Sequence, residues 1–110
     1  MIVTEDNVSK ALSYLAHDPH PLAEARFKLT MAENKTRETY SELFLSSNQT
    51  TVDAKKASVE CHPEYKRVLE AEAEAIFDVE RHKSRSGAAA TLIEVWRTEN
   101  ANVRAAERVR

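Results

Sequence analysis

The chain has 110 residues, of which 42% are hydrophobic, 31% are charged and only 6% are aromatic. Its one glycine is Gly87, whereas the tight turns between strands usually need several glycines. The composition therefore predicts an all-α protein. A single domain over residues 1–110 buries only a modest core. Because its apolar faces are rich in small alanines, we expect helix pairing and a homo-oligomer.

The sequence carries no signal for a membrane or an oxidising compartment. Its single cysteine, Cys61, cannot form an intrachain disulfide. The N-terminal segment MIVTEDNVSK lacks the basic start and apolar run of a secretion signal. No stretch approaches the roughly 18 apolar residues of a membrane span. We therefore expect a soluble, cytoplasmic protein with no membrane contact.

Prolines and polar segments divide the sequence into four predicted helices. Thr4 can cap the first helix, and the segment 18–21, with its two prolines, ends it because proline lacks an amide donor. The polar run 46–50 separates the second helix from the third, and Pro63 separates the third from the fourth. The predicted helices span residues 1–17, 21–45, 51–61 and 63–105.

The second and fourth helices carry the longest apolar patterns. In the second, apolar and small residues follow alternating spacings of three and four from Leu22 to Leu43, a coiled-coil-like seam. In the fourth, an apolar stripe runs from Tyr65 to Trp96. Helices joined by short loops tend to pack antiparallel. We therefore predict a long, coiled-coil-like antiparallel helical hairpin with two shorter helices.

The stripe of the fourth helix is interrupted over residues 80–87, where two turns offer no large apolar side chain. Either the helix continues there in contact with solvent, or it breaks at Ser86-Gly87. Val79, Ser86 and Ile93 are separated by two steps of seven residues, so the apolar phase agrees on both sides. This agreement favours a continuous helix.

Few residues could support catalysis or bind a metal. One cysteine and four histidines do not form the paired spacings of a zinc site. Cys61 and His62 are adjacent, so on a helix they would point about 100° apart, and we expect a partly buried, inert thiol. Phosphate-binding loops need glycines that this chain lacks. The sequence thus predicts no enzyme, no metal or other cofactor and no small-molecule substrate.

An acidic run in the fourth helix places Glu70, Glu74 and Asp78 on one face at spacings of four. Such runs are most often solvated helix faces. Two alternatives remain open. The face could imitate the charge of nucleic acid in an adaptor or inhibitor of a host enzyme, or its carboxylates could hold a divalent metal in an enzyme.

Charge is distributed unevenly along the chain. Residues 1–80 hold nine lysines and arginines against fifteen acidic residues, whereas residues 81–110 hold seven against three. A basic end on an acidic body can bind phosphate, or it can pair with the acidic body of a neighbouring chain.

The strongest candidate site lies in this basic end. Arg97, Arg104 and Arg108 follow spacings of seven and four, so they share a helical face, with Asn100 between them. Arginine and asparagine are residue types that contact phosphates and base edges. The alternative is a helix that aids solubility or pairs with acidic side chains. The candidate nucleic-acid-binding residues are Arg81, Lys83, Arg85, Arg97, Asn100, Arg104 and Arg108.

Trp96 closes the apolar stripe beside these arginines. A tryptophan in such surroundings can anchor an interface between chains, and a place in the core of one chain is an equal alternative. The candidate interface residues are Leu29, Leu43, Ile76, Val79, Ile93 and Trp96.

Three segments resemble a family of small, largely uncharacterised phage and prophage proteins. They are Val8-x2-Ala11-Leu12-x2-Leu15-Ala16, Thr51-Val52-x-Ala54-Lys55 through Tyr65, and Ile93-Glu94-Val95-Trp96-Arg97 followed by Asn100-Ala101-Asn102 and Arg104. Members of this family often accompany recombination or replication functions. The resemblance implies an accessory role in DNA metabolism in the host cell cytoplasm, with DNA or a DNA-metabolism protein as partner.

Overall fold

The computed structural model describes residues 2–109, and every regular element within them is a helix. The predicted all-α class is therefore confirmed. The fourth helix continues beyond its predicted end near residue 105. The four helices are α1 (Glu5–Ala16), α2 (Pro21–Ser46), α3 (Val52–Glu60) and α4 (Pro63–Val109).

Local signals explain where these helices begin. Thr4 Oγ1 accepts a hydrogen bond from the Asn7 amide at 3.2 Å, and Thr51 Oγ1 accepts one from the Ala54 amide at 3.1 Å. Both threonines have the extended backbone of an N-cap residue. α2 and α4 instead each begin at a proline, whose missing amide donor costs nothing in the first turn.

The chain divides into two compact units. The terminal unit consists of residues 1–24 and 81–110, and the central unit of residues 25–80. α1 lies in the terminal unit and α3 in the central unit, whereas α2 and α4 contribute residues to both.

In the central unit, α2 and α4 pack antiparallel. Thr36 of α2 lies beside Val68 and Glu72 of α4, and Tyr40, one turn later in α2, makes an edge-to-face contact with Tyr65 of α4, at 5.5 Å between ring centroids. Because the contacts move toward the start of α4 as they move toward the end of α2, the two helices are antiparallel. The predicted helical hairpin is confirmed.

The core of the central unit is built from small side chains. Thr36 Oγ1 donates a hydrogen bond to the Ala32 carbonyl one turn earlier, at 3.0 Å, so this buried hydroxyl is satisfied within its own helix. Val59 brings α3 into the core and is only 1% exposed. The buried residues of this unit are Ala25, Thr36, Thr39, Val59 and Val79.

In the terminal unit, α1 packs antiparallel to the second half of α4. Tyr14, near the end of α1, contacts His82. The amides of Ile2 and Val3, before α1 begins, donate hydrogen bonds to the Glu99 carboxylate at 3.1 and 3.4 Å. Between these ends lies a cluster of Ala11, Tyr14 and Ala89 with the half-buried Leu15, Leu92 and Ile93.

α4 is continuous through Ser86-Gly87, as the apolar phase predicts. The backbone of Gly87 has no positive φ, and a Cβ added there would meet nothing within 4 Å. The gap in the apolar stripe of α4 is therefore compatible with an unbroken helix. The side chain of Tyr14 from α1 lies over this stretch of α4.

The prediction of a partly buried Cys61 is wrong. α3 ends at Glu60, so Cys61 lies in the connector to α4, and its side chain is exposed. Val59, two residues earlier, takes the buried position instead.

Candidate nucleic-acid interface

The basic end of α4 is the most exposed part of the terminal unit. Residues 101–109 are helical, and every one of them is exposed. A helix of this kind presents all its side chains outward, and its own packing does little to stabilise it. A partner that binds this segment would meet a single helix with no packed neighbour.

Three arginines form one line on this helix. At 100° per residue, Arg97, Arg104 and Arg108 fall within about 40° of one another around the axis, and they cover about 16 Å along it. Asn100 lies about 60° to one side of Arg97 and is half-buried. We call these four residues the arginine face.

The arginine face keeps most of its positive charge. Arg97 is 3.6 Å from the Glu94 carboxylate, but both side chains are at least 70% exposed, so this ion pair is weak. Arg104 Nε donates to the Asn100 carbonyl at 3.4 Å. Among the described residues, no carboxylate forms an ion pair with Arg104 or Arg108 within 4.0 Å. The guanidinium groups are therefore available to an anionic partner.

The seven predicted contact residues do not form one surface. Lys83 points within about 40° of Arg97 but lies about 21 Å away along the axis. Arg85 is about 120° and Arg81 about 160° around the helix from Arg97. The structure therefore brings together the arginine face and leaves Arg81 and Arg85 on other sides of α4.

Sequence reasoning missed the surroundings of Arg85. Its guanidinium lies over the ring of Tyr14, 4.2 Å from the ring centroid. The Tyr14 hydroxyl is 2.9 Å from His82 Nδ1 and donates to the His82 carbonyl at 3.3 Å. One signal was present in the sequence, since Val8, Ala11 and Tyr14 follow spacings of three residues, which place them on the same side of α1.

The candidate interface residues have varied environments. Val79 is buried in the central unit, and Ile93 packs against the apolar cluster of the terminal unit. Leu29, Leu43 and Trp96 are half-buried. Of the six, Ile76 is the most open, at 47% exposed.

The acidic face on the central part of α4 is also accessible. Glu70 and Glu74 are exposed, and Asp78 is half-buried. Glu72, which lies between them in sequence, is turned toward the hairpin, with its carboxylate 3.4 Å from Thr36 Oγ1.

Residues 2–109 offer no group of three or more His, Cys, Asp or Glu side chains placed to hold a metal ion. Nor does any helix in this part of the chain combine the length and the apolar character needed to cross a bilayer. Comparisons of the chain with protein-family models, with curated proteins and with solved structures give no match.

Proposed function

We propose that this protein is a non-enzymatic accessory protein of the phage type that contacts DNA, or a partner bound to DNA, through the arginine face. One observation carries the proposal: three arginines without strong acidic partners line one side of the end of α4, and from residue 101 to residue 109 every residue of this helix is exposed. Arginine binds phosphate oxygens through parallel N–H donors, which suits the nucleic-acid backbone.

The dimensions of the helix end support the same proposal. A bare α-helix is about 10–12 Å across with its side chains, and the major groove of B-DNA is about 12 Å wide. Arg104 and Arg108 lie one turn apart, so both can reach phosphates along one edge of a groove. Binding would also stabilise this helix end, which has few packing contacts within its own chain.

The biological setting rests on the resemblance to small phage and prophage proteins. It gives the host cell cytoplasm as the compartment and recombination or replication of DNA as the process. The charge asymmetry agrees with this setting, because the acidic remainder of the chain disfavours nonspecific binding outside the basic end.

Binding of labelled single- and double-stranded DNA, measured by fluorescence anisotropy at about 50 and 200 mM salt, tests the proposal. Three phosphate contacts on duplex DNA predict a loss of affinity of about 40-fold between these concentrations. The triple variant Arg97→Gln, Arg104→Gln, Arg108→Gln should bind at least about tenfold more weakly at low salt and depend less on salt.

A matched control removes the same charge from the central unit. The variant Arg26→Gln, Lys28→Gln, Arg37→Gln changes three exposed cations of α2 and should bind DNA nearly as well as the natural sequence. Equal losses in the two triple variants, or no binding at 50 mM salt, would contradict the proposal. Stoichiometric capture of one host protein through Glu70 and Glu74 would instead support the adaptor or inhibitor alternative.

We also propose that the protein self-associates. Large apolar side chains of the central unit are open to solvent, with Phe27 66%, Phe77 70% and Ile76 47% exposed. Pairing of two chains would remove such surface from water. Light scattering should give a mass at least twice the 12.4 kDa of the single chain, and Phe77→Asp should lower it. A monomeric mass at high concentration would contradict self-association.

A further inference from the structure

The terminal unit has a second basic feature, on a different side of α4 from the arginine face. Two adjoining surface depressions, of about 490 and 230 Å³, lie along the α1–α4 pair. Both are lined by Lys10, Tyr14 and Arg85. We call the surface formed by these three residues the Tyr14 groove.

Arg85 is held in this groove by contacts that leave its donors unused. The Cζ atom of Arg85 lies over the ring of Tyr14, 4.2 Å from the ring centroid, and no described residue accepts a hydrogen bond from the guanidinium. The ring itself is fixed, because Tyr14 is only 8% exposed and its hydroxyl is hydrogen-bonded to His82. Among residues 2–109, Arg85 has no ion pair with a carboxylate within 4.0 Å.

The other polar groups of the groove suit an anion. The ammonium of Lys10 is 3.1 Å from Asp6, in a pair whose side chains are 74% and 76% exposed, so little opposes its transfer to another anion. The larger depression is also lined by Ser9 and Ser13. The guanidinium of Arg85, the exposed ammonium of Lys10 and two serines are groups that can donate to the oxygens of a phosphate group.

We propose that the Tyr14 groove is a phosphate-binding site, with Arg85 as the principal contact and Lys10 as the second. Its ligand is a phosphate group, carried either by a small phosphate compound or by a nucleic-acid backbone. The site does not depend on the arginine face, since Arg85 lies about 120° around α4 from Arg97. Either proposal can therefore fail alone.

A nuclear magnetic resonance titration of the full chain with inorganic phosphate tests the site at constant ionic strength. We expect saturable shifts of the Arg85 side-chain N–H and of the amides of Lys10 and Tyr14. Arg85→Gln should weaken phosphate binding at least about tenfold, and Lys10→Gln by a smaller factor. Arg26→Gln, at an exposed position of α2, is the matched control and should leave phosphate binding at the groove unchanged.

Two variants separate binding from folding. Lys10 is an exposed surface residue, so Lys10→Gln tests the groove even if Arg85→Gln destabilises the unit. Arg85→Lys keeps the charge but loses the planar fork, and should bind phosphate with intermediate affinity. Phosphate affinities that are equal in the natural sequence, Arg85→Gln and Lys10→Gln would overturn the proposal.

A parallel titration with a short DNA strand that lacks terminal phosphates identifies the source of the phosphate group. Shifts in the groove with both probes indicate backbone phosphates, and shifts with inorganic phosphate alone indicate a small phosphate compound. If neither probe shifts Lys10, Tyr14 or Arg85, the site is refuted. Shifts confined to Arg97, Arg104 and Arg108 would refute the groove but support the proposed function.

Discussion

The two units bury their helices by different means. The terminal unit centres on one large aromatic side chain, Tyr14, which packs with Ala11 and Ala89 and directs its hydroxyl to His82. The central unit has no buried aromatic among its described residues; Ala25, Thr36, Thr39, Val59 and Val79 make its core. One core depends on a single anchor, and the other on several small contacts.

This difference has consequences for stability and for surface chemistry. A buried aromatic ring contributes more than any single valine or alanine because it removes more apolar area from water. Small side chains at the centre of the hairpin bury little area each, and Phe27 and Phe77 remain exposed. We therefore expect the largest effect of one substitution in the terminal unit, and the greatest scope for contact with another chain in the central unit.

Tyr14→Ala should have the largest effect. It removes the ring from the α1–α4 contact, along with the hydroxyl and the support of Arg85, and should lower the free energy of unfolding by about 3 kcal/mol. Tyr14→Phe keeps the ring and should lose only about 1 kcal/mol. Urea unfolding followed by circular dichroism gives both values. Equal losses for the two variants would mean that the ring is not the anchor.

Val59→Ala is the corresponding test of the central unit. Val59 is 1% exposed, so the loss of two methyl groups should lower the free energy of unfolding by about 2 kcal/mol. Val52, in the same helix, is 59% exposed, and Val52→Ala should change stability by less than about 0.5 kcal/mol. A Val59→Ala loss larger than that of Tyr14→Ala would reverse the comparison between the units.

The sequence predicted the helical framework because its determinants are local. Prolines at 21 and 63 and the capping position of Thr4 lie within one turn of the helix starts that they specify. The apolar phase from Val79 to Ile93 was likewise enough to predict an unbroken α4.

What could not be predicted depends on pairs of residues far apart in the chain. The contact between Arg85 of α4 and Tyr14 of α1 joins residues of two helices that no periodicity relates. Burial was also hard to predict near helix ends. Cys61 is exposed because α3 ends one residue before it, a difference that the apolar pattern does not specify.

Each unit has one helix that begins at a capping threonine, so the stabilities that the two caps contribute can be compared. Thr4→Ala in the terminal unit and Thr51→Ala in the central unit each remove one bond to a first-turn amide, and each should destabilise by about 1 kcal/mol. Serine at either position keeps the oxygen and should restore most of this stability. If the alanine and serine variants at one position have the same free energy of unfolding in urea, the hydroxyl of that threonine does not stabilise the helix.

Gly87→Ala should have the smallest effect and the opposite sign. Gly87 lies inside α4 without a positive φ, and an added Cβ would meet nothing within 4 Å. Alanine reduces the backbone entropy lost on folding, so the variant should be stabilised by about 0.5–1 kcal/mol. The reverse change, Ala90→Gly at an exposed position one turn later, should destabilise by a similar amount. The contrary result is that thermal unfolding finds Gly87→Ala neutral or less stable while Ala90→Gly behaves as expected. That result would mean that α4 bends at Gly87 in solution. The continuous helix that supports both basic sites would then need revision.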